Sequence, residues 1–137
     1  MNDEQPLNGA TLRVVATSLG LHRPLDIAYL LDRNERTVKR WFADERPISS
    51  DVAETFREWQ HQFSQAVNDK LDEIDQLISD GADLITLTRY PNKTALRDHA
   101  ETQSILTHSA ETWDAYLGRI ISTLEDQGVS YRVETHH

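Results

Sequence analysis

The stretch NERTVKRWFADERP, residues 34–47, gathers Arg36, Lys39, Arg40 and Arg46 in a chain whose formal net charge is −9. Guanidinium and ammonium groups at that density hold anions, the guanidinium through paired N–H donors and the ammonium as a point charge. Other chemistry has thinner support. The histidines, His22, His61, His99, His108, His136 and His137, show no H-E-x-x-H spacing, and there is no glycine-rich phosphate loop or G-x-S-x-G elbow. His99 and His108 with Asp98 and Glu101 are metal-ligating types, but a solvated acidic helix surface accounts for them better. Cysteine is absent, which excludes disulfides, thiolate zinc sites, iron–sulfur clusters and cysteine nucleophiles. No catalytic residue, metal or cofactor is therefore expected, and the chain does not read as an enzyme.

The charge is unevenly spread. Residues 13–57 carry eight Lys or Arg against seven Asp or Glu, a balance of +1, whereas the remainder carries six against sixteen, or −10. Such asymmetry implies divided labour between the halves. At 137 residues, 38% hydrophobic and 27% charged, the chain suits one domain or two small lobes. No run approaches the roughly 20 apolar residues of a membrane helix. The start, MNDEQPLNGA, lacks the basic and apolar segments of a signal peptide, so the cytoplasm is the expected location.

The apolar pattern locates the elements that position the basic cluster. Leu12, Val15, Ala16 and Leu19 make an amphipathic stripe over 10–19, with Gly20 as the residue just past the helix end. Pro24 opens a second helix, in which Leu25, Ala28, Tyr29 and Leu31 are expected to line the inner side, ending near Asp32. Asn34 caps a third helix in which Val38, Trp41 and Phe42 recur at helical spacing, and Trp41 reads as core. The DERP segment ends that helix, and Ser49 or Ser50 caps a fourth.

The stretch LRVVATSLGLHRPLDIAYLLDRNERTVKRWFADERPI resembles a helix-turn-helix of the lambda-repressor, or Xre, type. The match lies in Leu19-Gly20-Leu21, in Ile27-Ala28-Tyr29-Leu30-Leu31 and in Asn34-Glu35-Arg36-Thr37-Val38-Lys39-Arg40-Trp41, about a third of the chain. HRPLDIA is one residue longer than the usual start of the second helix, and Asp32 replaces the common Gly of the turn, which requires Asp to take a left-handed conformation. In layout the chain is also similar to YdiL-like proteins and anti-CRISPR-associated autorepressors. The resemblance implies double-stranded DNA as partner and a third helix in the major groove. On that footing Arg36 grips guanine, Asn34 reads adenine and Glu35 accepts from cytosine, with Thr37 beside them. Lys39, Arg40 and Arg46 hold phosphates, and Arg23 at the start of the second helix fixes register through backbone amides. The bland alternative is a solvated face with i,i+4 pairs such as Glu35 with Lys39.

Beyond Ser50, Val52, Phe56, Trp59, Phe63, Val67, Leu71, Ile74 and Ile78 recur about every 3.7 residues, the period of a straight helix about 40 Å long. One small lobe does not cover such a stripe, so it is shared with a second lobe or another chain. Gly81 ends it, and DLITLTRY reads as a strand over 84–90. A short helix over 94–101, a less defined SILTHS, a helix over 110–126 and a second strand in VSYRVE follow, with Gly128 between the last two. The two strands pair in parallel through a crossover or find partners across a dimer.

The expected fold is thus mainly α: a helix-turn-helix bundle over 1–60, a long connecting helix, and a small α+β dimerisation lobe over 61–137 with two short strands. The expected function is a sequence-specific transcriptional regulator, an autorepressor or antitoxin-like protein that binds an inverted repeat as a homodimer. The alternative is a protein-interaction module with a degenerate helix-turn-helix whose partner is a protein such as a toxin. RNA binding through the same basic face is a lesser variant.

Overall fold

A computed structural model describes residues 7–100 and 104–136. His137, and Glu101 at the expected end of the short helix, lie outside the described residues. Among those described, the fold is mainly helical, with six α-helices and two short parallel strands in the carboxy-terminal part. No helix among them is long and apolar enough to cross a membrane. The chain divides into two compact units, 1–60 and 61–137.

In the first unit α1 spans Gly9–Ser18, α2 Pro24–Leu31 and α3 Glu35–Phe42, and α4 begins at Ser50 and runs to Ser79. The caps explain these limits. Asn8 accepts from the Thr11 amide at the start of α1. At its end Gly20, with φ of 76°, lets the Leu21 amide turn back to the Ala16 carbonyl at 2.8 Å. Asp32 closes α2 in the left-handed region, φ 52° and ψ 48°, and the Arg33 amide reaches the Ala28 carbonyl at 2.9 Å. Ser49 Oγ accepts from the Val52 amide at 3.3 Å and starts α4. The core of this unit is Leu12, Ala16, Leu19, Leu21, Ile27, Ala28, Val38, Trp41, Val52, Ala53 and Phe56, all buried. Each large aliphatic side chain among them contributes roughly 1.5–3 kcal/mol by leaving water.

The face of α2 differs from the sequence expectation. Leu25 and Tyr29 are 49% and 71% exposed, while Ile27 and Ala28 are buried and Leu31 is half-buried. Ile27 and Leu31 are spaced i,i+4 with Ala28 beside them, so the inner stripe lies on the opposite side from Leu25 and Tyr29. A helix this short and this apolar allows more than one stripe, and packing against α3 selects one.

In the second unit Phe63, Val67 and Ile74 of α4 are buried, but Leu77 and Ile78 are 43% and 38% exposed, so the apolar stripe is covered as far as Ile74. The remaining elements are β1 (Ile85–Arg89), α5 (Lys93–His99), a 3-10 turn (Ile105–Thr107), α6 (Ala110–Gln127) and β2 (Tyr131–Thr135). The SILTHS segment supplies the 3-10 turn, whose Ile105, Leu106 and Thr107 are buried. The strands pair in parallel, Ile85 opposite Tyr131 and Leu87 opposite Val133, through the crossover that α5, the turn and α6 provide. α6 inserts Tyr116, Leu117, Ile120 and Leu124, and Trp113, Tyr116 and Phe63 meet edge-on or tilted. The Arg89 guanidinium grips Asp114 at 3.0 Å and ties β1 to α6.

Candidate nucleic-acid interface

α3 is short and strongly two-sided. At about 100° per residue, Val38 and Trp41 define the inner direction, Arg36 projects almost opposite, and Arg40 and Lys39 flank it. Burial follows this geometry: Val38 and Trp41 are 0% and 3% exposed, and Arg36, Lys39 and Arg40 are all exposed. Glu35 and Thr37, at the borders of that face, are half-buried. Trp41 is a core residue, so its indole is not free to stack on a ligand.

The cations are not equivalent. Lys39 Nζ lies 3.2 Å from Glu35 Oε1, the i,i+4 pair that a solvated helix face favours. Arg36 and Arg40 form no ion pair with any described residue, nor does Arg46 beyond the helix end. Arg13 of α1 sits over the Phe42 ring, 5.2 Å from its centroid.

Two of the expected contacts meet groups already engaged. Asn34 Oδ1 accepts from the Thr37 amide at 3.2 Å and caps α3. Paired donor-and-acceptor reading of adenine uses that same oxygen, so Asn34 would have to share it between the cap and the base. The Arg23 amide donates to Asp26 Oδ2 at 3.2 Å, its guanidinium meets Asp26 Oδ1 at 2.9 Å, and Pro24 has no N–H. The start of α2 thus already holds the chain's own Asp26 carboxylate, with which a phosphate at this helix start would compete.

What holds α3 in place is a joint that local pattern does not reveal. Asp44, in the left-handed region with φ of 57°, turns the chain so that the Glu45 amide reaches the Arg40 carbonyl at 2.9 Å. Its Oδ1 then accepts from the Gly9 amide at 2.8 Å, at the start of α1. Gly9 is buried so tightly that an added Cβ would lie 2.4 Å from the Phe42 carbonyl oxygen and 2.5 Å from that of Trp41. The end of α3 is therefore seated directly on the beginning of α1. The one legible hint was Gly9 itself, an unexpected glycine at a helix start.

Among the described residues no group of three or more His, Asp or Glu is arranged to hold a metal ion. His99 packs its ring against that of His136, centroids 4.2 Å apart. No model of a known protein family matches the chain, and no curated protein matches it.

Proposed function

We propose that the chain is a sequence-specific DNA-binding transcriptional regulator, an autorepressor or antitoxin-like protein without enzymatic activity, working in the cytoplasm as a homodimer on an inverted repeat. The observation that carries the reading is α3: Arg36 and Arg40, exposed and without an ion pair among the described residues, on the face opposite buried Val38 and Trp41, in the third helix of the amino-terminal unit. A helix with its outer face so charged fits a major groove, where Arg36 reaches a guanine edge bidentately. Arg40, Arg46 and, once parted from Glu35, Lys39 lie against phosphates. The acidic remainder of the chain is repelled by the same phosphates, which orients the protein on the duplex. One such motif reaches a single groove segment, and two copies are needed for an inverted repeat.

Selection from a random duplex library, followed by titration of the chosen duplex against salt, tests this reading. Three phosphate-binding cations per protomer give a dimer a slope of log K on log salt of about −5. Absence of any selected sequence at low salt refutes the reading. The alternative, a partner-binding module with a degenerate helix-turn-helix, is favoured by the engagement of Asn34 in capping and of the Arg23 amide with Asp26. It predicts an apolar interface and hence binding nearly indifferent to salt.

A further inference from the structure

A parallel sheet of two strands is too small to stand alone, and here its two outer edges differ. The Ile85 amide donates to the Ser130 carbonyl at 3.0 Å and the His136 amide to the Arg89 carbonyl at 2.8 Å. Even-numbered residues of β2 therefore turn their backbone groups toward β1, and alternation turns those of Tyr131, Val133 and Thr135 away from it. On β1 the outward groups belong to Thr86 and Thr88, and the Thr88 carbonyl already accepts from the Trp113 indole at 2.9 Å. The edge of β1 is thus engaged by α6 at Thr88, while residues 132–135 of β2 are exposed. Side chains agree with the backbone. Ile85 and Leu87 are 3% and 2% exposed, yet Val133, opposite Leu87 on the same face, is 39% exposed.

We infer that the free edge of β2 pairs antiparallel with β2 of a second copy, Val133 against Val133, to make a four-stranded sheet across a two-fold axis. The inference rests on the homodimer of the proposed function and names where the copies meet. With Val133 at the axis, Tyr131 faces Thr135, and about six backbone hydrogen bonds form between groups that otherwise face outward. Arg132 then stands opposite Glu134 of the second copy, twice, in the closely spaced non-hydrogen-bonded positions. The neighbouring symmetric registers that keep the backbone pairing centre on Arg132 or on Glu134, and set like charges face to face. The sequence YRVET is therefore self-complementary in one register. Within one chain Arg132 Nη2 meets Glu134 Oε1 at 2.7 Å with both side chains more than half exposed, so exchanging that partner for one across the axis costs little.

The test is a charge exchange read by light scattering of the full chain at micromolar concentration. The wild type is expected at twice 15.7 kDa. R132E or E134R alone turns two attractive cross-strand pairs into two repulsive ones and raises the dimer dissociation constant on the order of tenfold to a hundredfold. The double variant R132E/E134R restores complementarity and the dimer. Mixing the two single variants restores both cross-strand pairs in the heterodimer while each chain keeps its own like-charge pair, so recovery on mixing shows that the single variants failed at pairing and not at folding. Single variants that stay as dimeric as the wild type, or a double variant that stays monomeric, overturn the seam. The regulator reading is scored separately by duplex selection: a dimer insensitive to the exchanges that still selects a sequence loses only the seam. A monomeric wild type removes the seam and the homodimer together.

Discussion

Replacing Gly9 by Ala reverses the sign that helix propensity assigns to it. At an exposed helix position the change stabilises by up to about 1 kcal/mol. Here the new methyl lands 2.4 Å and 2.5 Å from the Phe42 and Trp41 carbonyl oxygens and 2.8 Å from the Phe42 carbonyl carbon, all backbone atoms that no side-chain rotation can withdraw. Ordinary contact requires α3 to retreat by about 1 Å, which strains the Asp44–Gly9 hydrogen bond of 2.8 Å as well. Overpacking of this kind costs roughly 1–3 kcal/mol, and the propensity gain offsets part of it. The net loss is about 1–2 kcal/mol. In urea, where a small protein has a slope of roughly 1–3 kcal/mol per molar, the midpoint falls by about 0.5–1 M with the slope unchanged. Tryptophan fluorescence follows it, because Trp41 lies in the displaced helix. A midpoint equal to or above the wild type would refute the seating of α3 on α1.

Arg36→Ala costs roughly 1–3 kcal/mol on a selected duplex and relaxes preference at one base position, whereas Arg40→Ala weakens all duplexes alike. Lys39→Ala does less than Arg40→Ala, because Lys39 is already paired with Glu35, and band-shift titration of the three variants ranks them. Asn34→Ala lowers stability by about 1 kcal/mol by thermal melting, while Asn34→Asp keeps the cap; an Asn34→Asp protein with unaltered base preference shows that Asn34 caps and does not read. Burial, followed by the charges of Glu73 and Asp69, pushes the Tyr116 hydroxyl up to about 12 from its ordinary 10.0. The folded state then holds a proton that the unfolded chain releases. Stability contributed by the neutral ring is full below pH 10 and declines toward pH 12, by roughly 1–2 kcal/mol once solvent screening is allowed for; Tyr116→Phe flattens that decline in alkaline melts.

Much of the fold is legible in the chain because caps and periodicity act within a few residues. Gly20, Asp32, Asn34 and Ser49 end or begin helices for reasons contained in their own side chains and neighbours, and the Val38–Trp41 spacing alone turns Arg36, Lys39 and Arg40 outward. The exposed cationic face of α3 was therefore readable before any tertiary contact was known. The rest depended on partners distant in sequence. α2 carries enough apolar residues for more than one inner face, and packing against α3 left Leu25 and Tyr29 outside. Strand direction required the crossover, since alternation is the same for parallel and antiparallel pairs. The joint from Asp44 to Gly9 spans 35 residues and leaves no periodic trace. Local rules thus settled which residues form each helix and which face is charged. Only the packed structure decided how α3 is seated on α1, because the Gly9 amide and the Asp44 carboxylate, and the Trp41 and Phe42 carbonyls beside Gly9, lie far apart in the chain and meet only when the helices pack.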